Sequence, residues 1–157
     1  MTPPKKLNDV NLNAAFLKKK WRITIQCPLA GIEQLCSALG RELPLKQGSY
    51  DHCLYIRSQG RQQFRALEGS HAGNEKTIQS TDSGEITFTI PMNNDLLEKT
   101  FKLLFQYGVH EDPTVHIEEI YSSESKYLDD KNNPNRYWNR SDASEIHGHS
   151  LPKDLDK

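Results

Sequence analysis

Two short blocks hold most of the side chains that could do chemistry. Tyr50-Asp51-His52-Cys53 places a phenol, a carboxylate, an imidazole and a thiol in succession. Gln63-Phe64-Arg65-Ala66-Leu67-Glu68-Gly69 adds an amide, a guanidinium and a second carboxylate. Arg65 is a forked donor that matches a carboxylate or phosphate, and Glu68 or Asp51 is of the type to pair with it. The chemistry is therefore either capture of an anion or an ion pair that merely holds a loop. In an extended chain Asp51 and Cys53 point one way and His52 the other, so His52 and Cys53 share a metal only across a bulge. The choice at the first block is between Tyr50 and Asp51 fixing a turn over a core Cys53, and Asp51 or His52 lining a cleft.

A second set is of metal-ligating type: His52, His71, His110, Glu111 and His116. Imidazole with carboxylate suits zinc or a similar divalent ion. Their spacing matches no closed site, and Glu111-Asp112-Pro113 is also an ordinary turn before a strand. His147-Gly148-His149 is a flexible pair that would chelate weakly. Nucleophilic catalysis finds little to work with. Cys27, Cys36 and Cys53 sit in apolar patterns, where a thiol pKa rises rather than falls. No nucleophile elbow or phosphate loop occurs. The expectation is a protein that is not an enzyme.

Composition narrows the partners. Across 157 residues, 20 Lys and Arg stand against 21 Asp and Glu, so net charge gives no reason to expect nucleic acid or a membrane surface. No apolar run approaches the roughly 18 residues of a membrane span. The lysines at the start precede no apolar stretch, which reads as no secretory signal. Three cysteines without CxxC spacing point to a reducing cytoplasm rather than a disulfide framework. The apolar share of 35% is lean and reads as an ordinary domain diluted by polar flanks.

The elements that must position these residues lie in the middle of the chain. Residues 1–20 read as a solvated arm, with a helical turn near Leu12–Leu17 as the alternative. Residues 21–121 read as one α+β domain, and residues 122–157 as a polar extension, partly disordered or docked through Tyr127, Tyr137 and Trp138. Trp21–Ile25 alternates as a half-buried strand. Pro28 opens a helix whose Ile32, Leu35, Cys36 and Leu39 share a face, and Gly40 is placed to end it. Tyr50–Ile56 reads as a strand, Gln63–Leu67 as a short extra one, and Gly69–Gly84 as a polar loop. Glu85–Ile90 is a clean strand closed by Pro91. Asn93 or Asn94 caps a helix with Leu97, Phe101, Leu104 and Phe105 on one face, ended by Gly108. Thr114–Ile117 is the last strand, with Ile120 and Tyr121 extending it. Strand–helix–strand repeated twice is the ferredoxin-like βαββαβ sandwich, both helices on one face. A unit of this size buries only about two-thirds of its unfolded surface, which makes self-assembly over the open sheet face attractive.

Gly48-Ser49-Tyr50-Asp51-His52-Cys53 followed by Gln63–Gly69 resembles the signature of YqfO-like domains, the inserted domain of Nif-three-like proteins within the wider PII/CutA-like group. Gly108-Val109-His110-Glu111-Asp112-Pro113 is similar to the family's late His-Pro-Tyr-Glu-Glu-Pro. The resemblance spans Trp21 to Tyr121. It departs where the family's late His falls on Gly108 and its Tyr on His110, and where Asn-Pro-Phe after Leu-Glu-Gly becomes His71-Ala72-Gly73. This chain is too short to carry the two-metal core of Nif-three-like proteins, so their hydrolase-type chemistry is not carried over. What the resemblance implies is a ferredoxin-like subunit in a homotrimer. PII-like relatives bind small regulatory ligands between subunits, and CutA-like relatives are associated with metal tolerance. The expected site is then Tyr50, Asp51, His52, Gln63, Arg65 and Glu68, around a small anionic ligand and without a cofactor. A divalent metal on some of His52, His71, His110, Glu111 and His116 is the alternative. An interaction module that recruits a protein partner through its tails is a third reading.

Overall fold

The computed structural model describes residues 2, 6–73, 75–126 and 131–148. Tyr127 and His149 lie outside them. In chain order the elements are β1 (Ala15–Pro28), α1 (Ile32–Glu42), β2 (Tyr55–Phe64), β3 (Gln79–Ile90), α2 (Asn94–Tyr107), β4 (Thr114–Ser125) and a short α3 (Ala143–Ile146). The strands form one sheet in the order β2-β3-β1-β4, every neighbouring pair antiparallel. This is the βαββαβ order of a ferredoxin-like α+β sandwich.

Alternation builds the core. Ile23, Ile25 and Cys27 on β1 lie opposite Phe88, Ile86 and Gly84 on β3, and their side chains point to the helical face. Ile32, Leu35, Ala38 and Leu39 of α1 and Thr100, Leu103 and Leu104 of α2 close over them. Gly84 is obligatory here. A Cβ at that position would stand 2.4 Å from the Arg57 carbonyl oxygen and 2.5 Å from Ile32 Cδ1. The close approach coincides with a register shift in β2 between Arg57 and Gly60. The face turned away from the helices is polar. Lys18 pairs with Glu124 at 2.6 Å, Arg22 with Glu118 at 2.8 Å, and Thr24 meets Thr87 at 3.3 Å.

Several boundaries differ from the sequence reading. β1 begins at Ala15, so part of the expected arm is strand, and β4 runs on to Ser125. Three consecutive lysines hide the alternation there, while pairing with β4 from Ala15↔Ser125 onward holds the segment extended. Tyr50–Leu54 is not strand, because Gly48 and His52 both have left-handed φ, 58° and 52°. The true β2 is the polar stretch after it, and it absorbs Gln63 and Phe64, so no separate short strand forms. β3 likewise begins at Gln79 rather than after Gly84. Gly40 lies inside α1, which continues to Glu42. On α2 the buried stripe is turned toward Thr100 and Leu103, which leaves Phe105 exposed. Tyr137 packs edge-on against Trp138 and against His147, so these tail aromatics dock on their own segment.

Asn93 caps α2 as expected: its side-chain oxygen accepts from the Asp95 and Leu96 amides at 2.8 and 3.1 Å. Asn93→Ala is expected to cost about 1 kcal/mol. Urea denaturation should show a lower midpoint with an unchanged slope.

Candidate functional site

Where β2 ends and β4 begins, two connections face one another at one end of the sheet. They enclose a cleft of ≈ 520 Å³. Gln62, Gln63 and Arg65 enter it from the end of β2, Ser70 from the following loop, and His110 and Asp112 from the turn before β4. Phe64 and Leu67 give it an apolar wall. Arg65 and Asp112 make no hydrogen bond or ion pair with any described residue, so both heads are free to meet a solute.

The loop carrying Ser70 is tied down by His71. Its backbone N–H donates to Glu111 Oε2 at 3.1 Å, and its ring Nδ1–H donates to Oε1 of the same carboxylate. This hydrogen bond, with the charge of Glu111, raises the His71 pKa above its ordinary 6.5. In turn the His71 ring and backbone lower Glu111 below its ordinary 4.5. The sign follows for each group. The His71 contribution is complete below 6.5 and is lost as pH rises through its raised folded value. That of Glu111 is complete above 4.5 and is lost as pH falls through its lowered folded value. The pair thus makes its full contribution to stability between about 4.5 and 6.5. A proton-detected titration of the His71 ring should give a midpoint above that of a free imidazole, returning to the ordinary value in Glu111→Gln.

Behind the cleft lies a relay that nothing in the residue types announces. His110 Nε2 is 2.8 Å from Gln62 Oε1. The same oxygen accepts from the hydroxyl of buried Ser83 at 2.8 Å. Gln62 Nε2 donates to Gln26 Oε1 at 3.3 Å, and Gln26 Nε2 donates to Glu85 Oε1 at 3.2 Å. Only the cross-strand register brings β1, β2 and β3 together at this point, so Gln26, Gln62 and Ser83 were missed. On the far side of the relay a smaller cleft of ≈ 290 Å³ is lined by Arg57, Gly60, Arg61 and Glu85.

The structure separates the expected site residues. Gln63 and Arg65 line the cleft; Glu68 lies just beyond it on the same loop. Tyr50, Asp51 and His52 precede β2, whose ten residues put about 30 Å between them and Arg65 within one chain. There His52 Nδ1 contacts Asp51 at 3.0 Å, the imidazole lies over Gly40 of α1, and Tyr50 is exposed. The metal-type residues do not converge. His71 holds Glu111, His110 holds Gln62, His52 holds Asp51, and His116 stands on β4 opposite Thr24. Among the described residues no three of His, Cys, Asp and Glu come together. Burial pushes the Cys27 thiol up to about 11 and Cys36 to about 12, which keeps both protonated and unreactive. Among the described residues no helix is long and apolar enough to cross a membrane.

No protein-family model and no curated protein matches the sequence. Solved structures do. A Bacillus cereus protein related to NIF3 superposes with a TM-score of 0.57 at 20% identity, over 70% of this chain and 28% of that one. CutA1 from Oryza sativa gives 0.48 at 12% identity, over 66% and 82% of the two chains. A nitrogen regulatory PII-like protein from Thiomonas intermedia K12, bound to ADP, AMP and bicarbonate, gives 0.45 at 15%, over 68% and 96%. The chain thus shares the fold of the matching part of the NIF3-related protein, of which it spans little more than a quarter.

Proposed function

We propose that this chain is a non-enzymatic, PII/CutA-like subunit of a homotrimer that binds a small anionic ligand in the Arg65 cleft. The observation that carries this reading is the Arg65 guanidinium, without a partner among the described residues, in a ≈ 520 Å³ cleft with an apolar wall. An arginine left without a carboxylate beside several polar groups fits a ligand's carboxylate or phosphate better than a structural ion pair. Glu111 is near but spent on His71, so it competes little for the guanidinium. Gln63, Arg65 and Glu68 act from one subunit. Tyr50, Asp51 and His52 contribute only if another copy brings them, which is the role left to the trimer. Among the described residues both edge strands, β2 and β4, lack a partner on their outer side, and so offer backbone to a neighbouring copy.

The test has two parts. Light scattering behind a sizing column should give three times the 18.0 kDa chain mass. Titration calorimetry against nucleotides and simple carboxylates should then find a ligand. A monomer that binds nothing in the panel contradicts the reading.

A further inference from the structure

The polar relay behind the cleft is directional, and its direction decides what the cleft can accept. Glu85 is an ionised carboxylate, an acceptor only. Gln26 must therefore turn its Nε2 toward Glu85, as it does at 3.2 Å, and present Oε1 to Gln62. Gln62 is then obliged to give Nε2 to Gln26 and to leave Oε1 for Ser83 and His110. A carbonyl oxygen cannot donate, so His110 carries its hydrogen on Nε2. In neutral His110 the other ring nitrogen, Nδ1, is a bare acceptor, with no partner among the described residues. A flipped Gln62 would set its carbonyl against the Gln26 carbonyl, and flipping Gln26 as well would set the Gln26 carbonyl against the Glu85 carboxylate; either way two acceptors stand face to face, so the flip is excluded.

The cleft thus offers a cation, Arg65, beside two acceptors, His110 Nδ1 and the carboxylate of Asp112, neither with a further partner among the described residues. Of the cleft's two carboxylates, Glu111 is neutralised by His71, which leaves Asp112 as the free negative charge. A plain dicarboxylate or a phosphate ester satisfies Arg65 but leaves both acceptors unmet and meets repulsion from Asp112. Resting on the anion-binding reading above, we infer that the ligand is an amino-carboxylate. Its carboxylate sits on Arg65, its ammonium between His110 Nδ1 and Asp112, and its apolar part against Phe64 and Leu67.

Two measurements test this. In the ligand-free protein, ring ¹⁵N and ¹³C shifts of the neutral His110 imidazole should report the Nε2–H tautomer, and Gln62→Leu should release it to a mixture. An Nδ1–H tautomer in the wild type overturns the relay argument whatever the ligand. In calorimetry, each α-amino acid is paired with the acid of the same skeleton lacking the amine. A charge-assisted contact of about 1.5–3 kcal/mol corresponds to at least about a tenfold preference for the amino form. Asp112→Asn should reduce that preference to about threefold or less, while deamino acids bind at least as tightly as before because the repulsion is gone. If nucleotides or deamino acids bind through Arg65 and amino acids bind no better, this inference falls and the anion-binding reading stands. If nothing binds in either panel, both fall.

Discussion

Leu35→Ala is expected to lower the stability of the domain by about 2–5 kcal/mol, with a fall in Tm on the order of 10 °C. Leu35 is fully buried at the centre of α1, packed with Ile23, Ile25 and Ile86 of the sheet in a single cluster. Truncation removes the transfer free energy of the lost carbons and leaves a cavity that two β-strands and two helices cannot collapse to fill. The cleft, built from loops at one end of the sheet, shares no residue with this cluster. The folded fraction should therefore bind with wild-type affinity, and chemical denaturation paired with calorimetry would show it. A loss of ligand binding in the folded variant would mean that the core positions the site more directly than the contacts indicate.

Arg65→Ala is expected to do the converse. The guanidinium is exposed and has no hydrogen bond or ion pair among the described residues, so its removal should leave Tm within about 2 °C, the range of ordinary surface changes. Ligand affinity should fall by roughly tenfold to a hundredfold, the size of a lost charge-assisted pair. Arg65→Lys keeps the charge but not the fork, and should recover only part of that loss. Were Arg65 instead a loop-holding residue, melting would shift and binding would not. The two variants together separate stability from recognition in one domain.

Sequence and structure agree where a single element settles its own conformation. The apolar spacing of Ile32, Leu35 and Leu39, the alternation of Ile86, Phe88 and Ile90, and the Asn93 cap each state their element locally, and two such βαβ halves lead to the sandwich. Agreement fails where a neighbour decides. Lys18-Lys19-Lys20 is strand because β4 lies beside it. Arg57–Gln63 is strand because β3 pairs with it around a bulge, and nothing apolar marks that outer strand. Tyr50–Leu54 has the composition of a strand but turns at Gly48 and His52. The site divides in the same way. Arg65 was legible as an unusual donor in a short block. His110 and Glu111 stood out as metal-type residues, yet the structure spends one on Gln62 and the other on His71. Gln26, Gln62 and Ser83 lie on three different strands, and only the sheet register makes them a chain of hydrogen bonds.

The central claim is that a small anion binds at the Arg65 cleft. Amide shift mapping of the ¹⁵N-labelled full chain with the tightest ligand found by calorimetry tests it most directly. Perturbations centred on residues 62–72 and 110–114, abolished in Arg65→Ala, are the expected result. Shifts confined to the Arg57–Gly60 bulge and Glu85, or a map that survives Arg65→Ala unchanged, would contradict it.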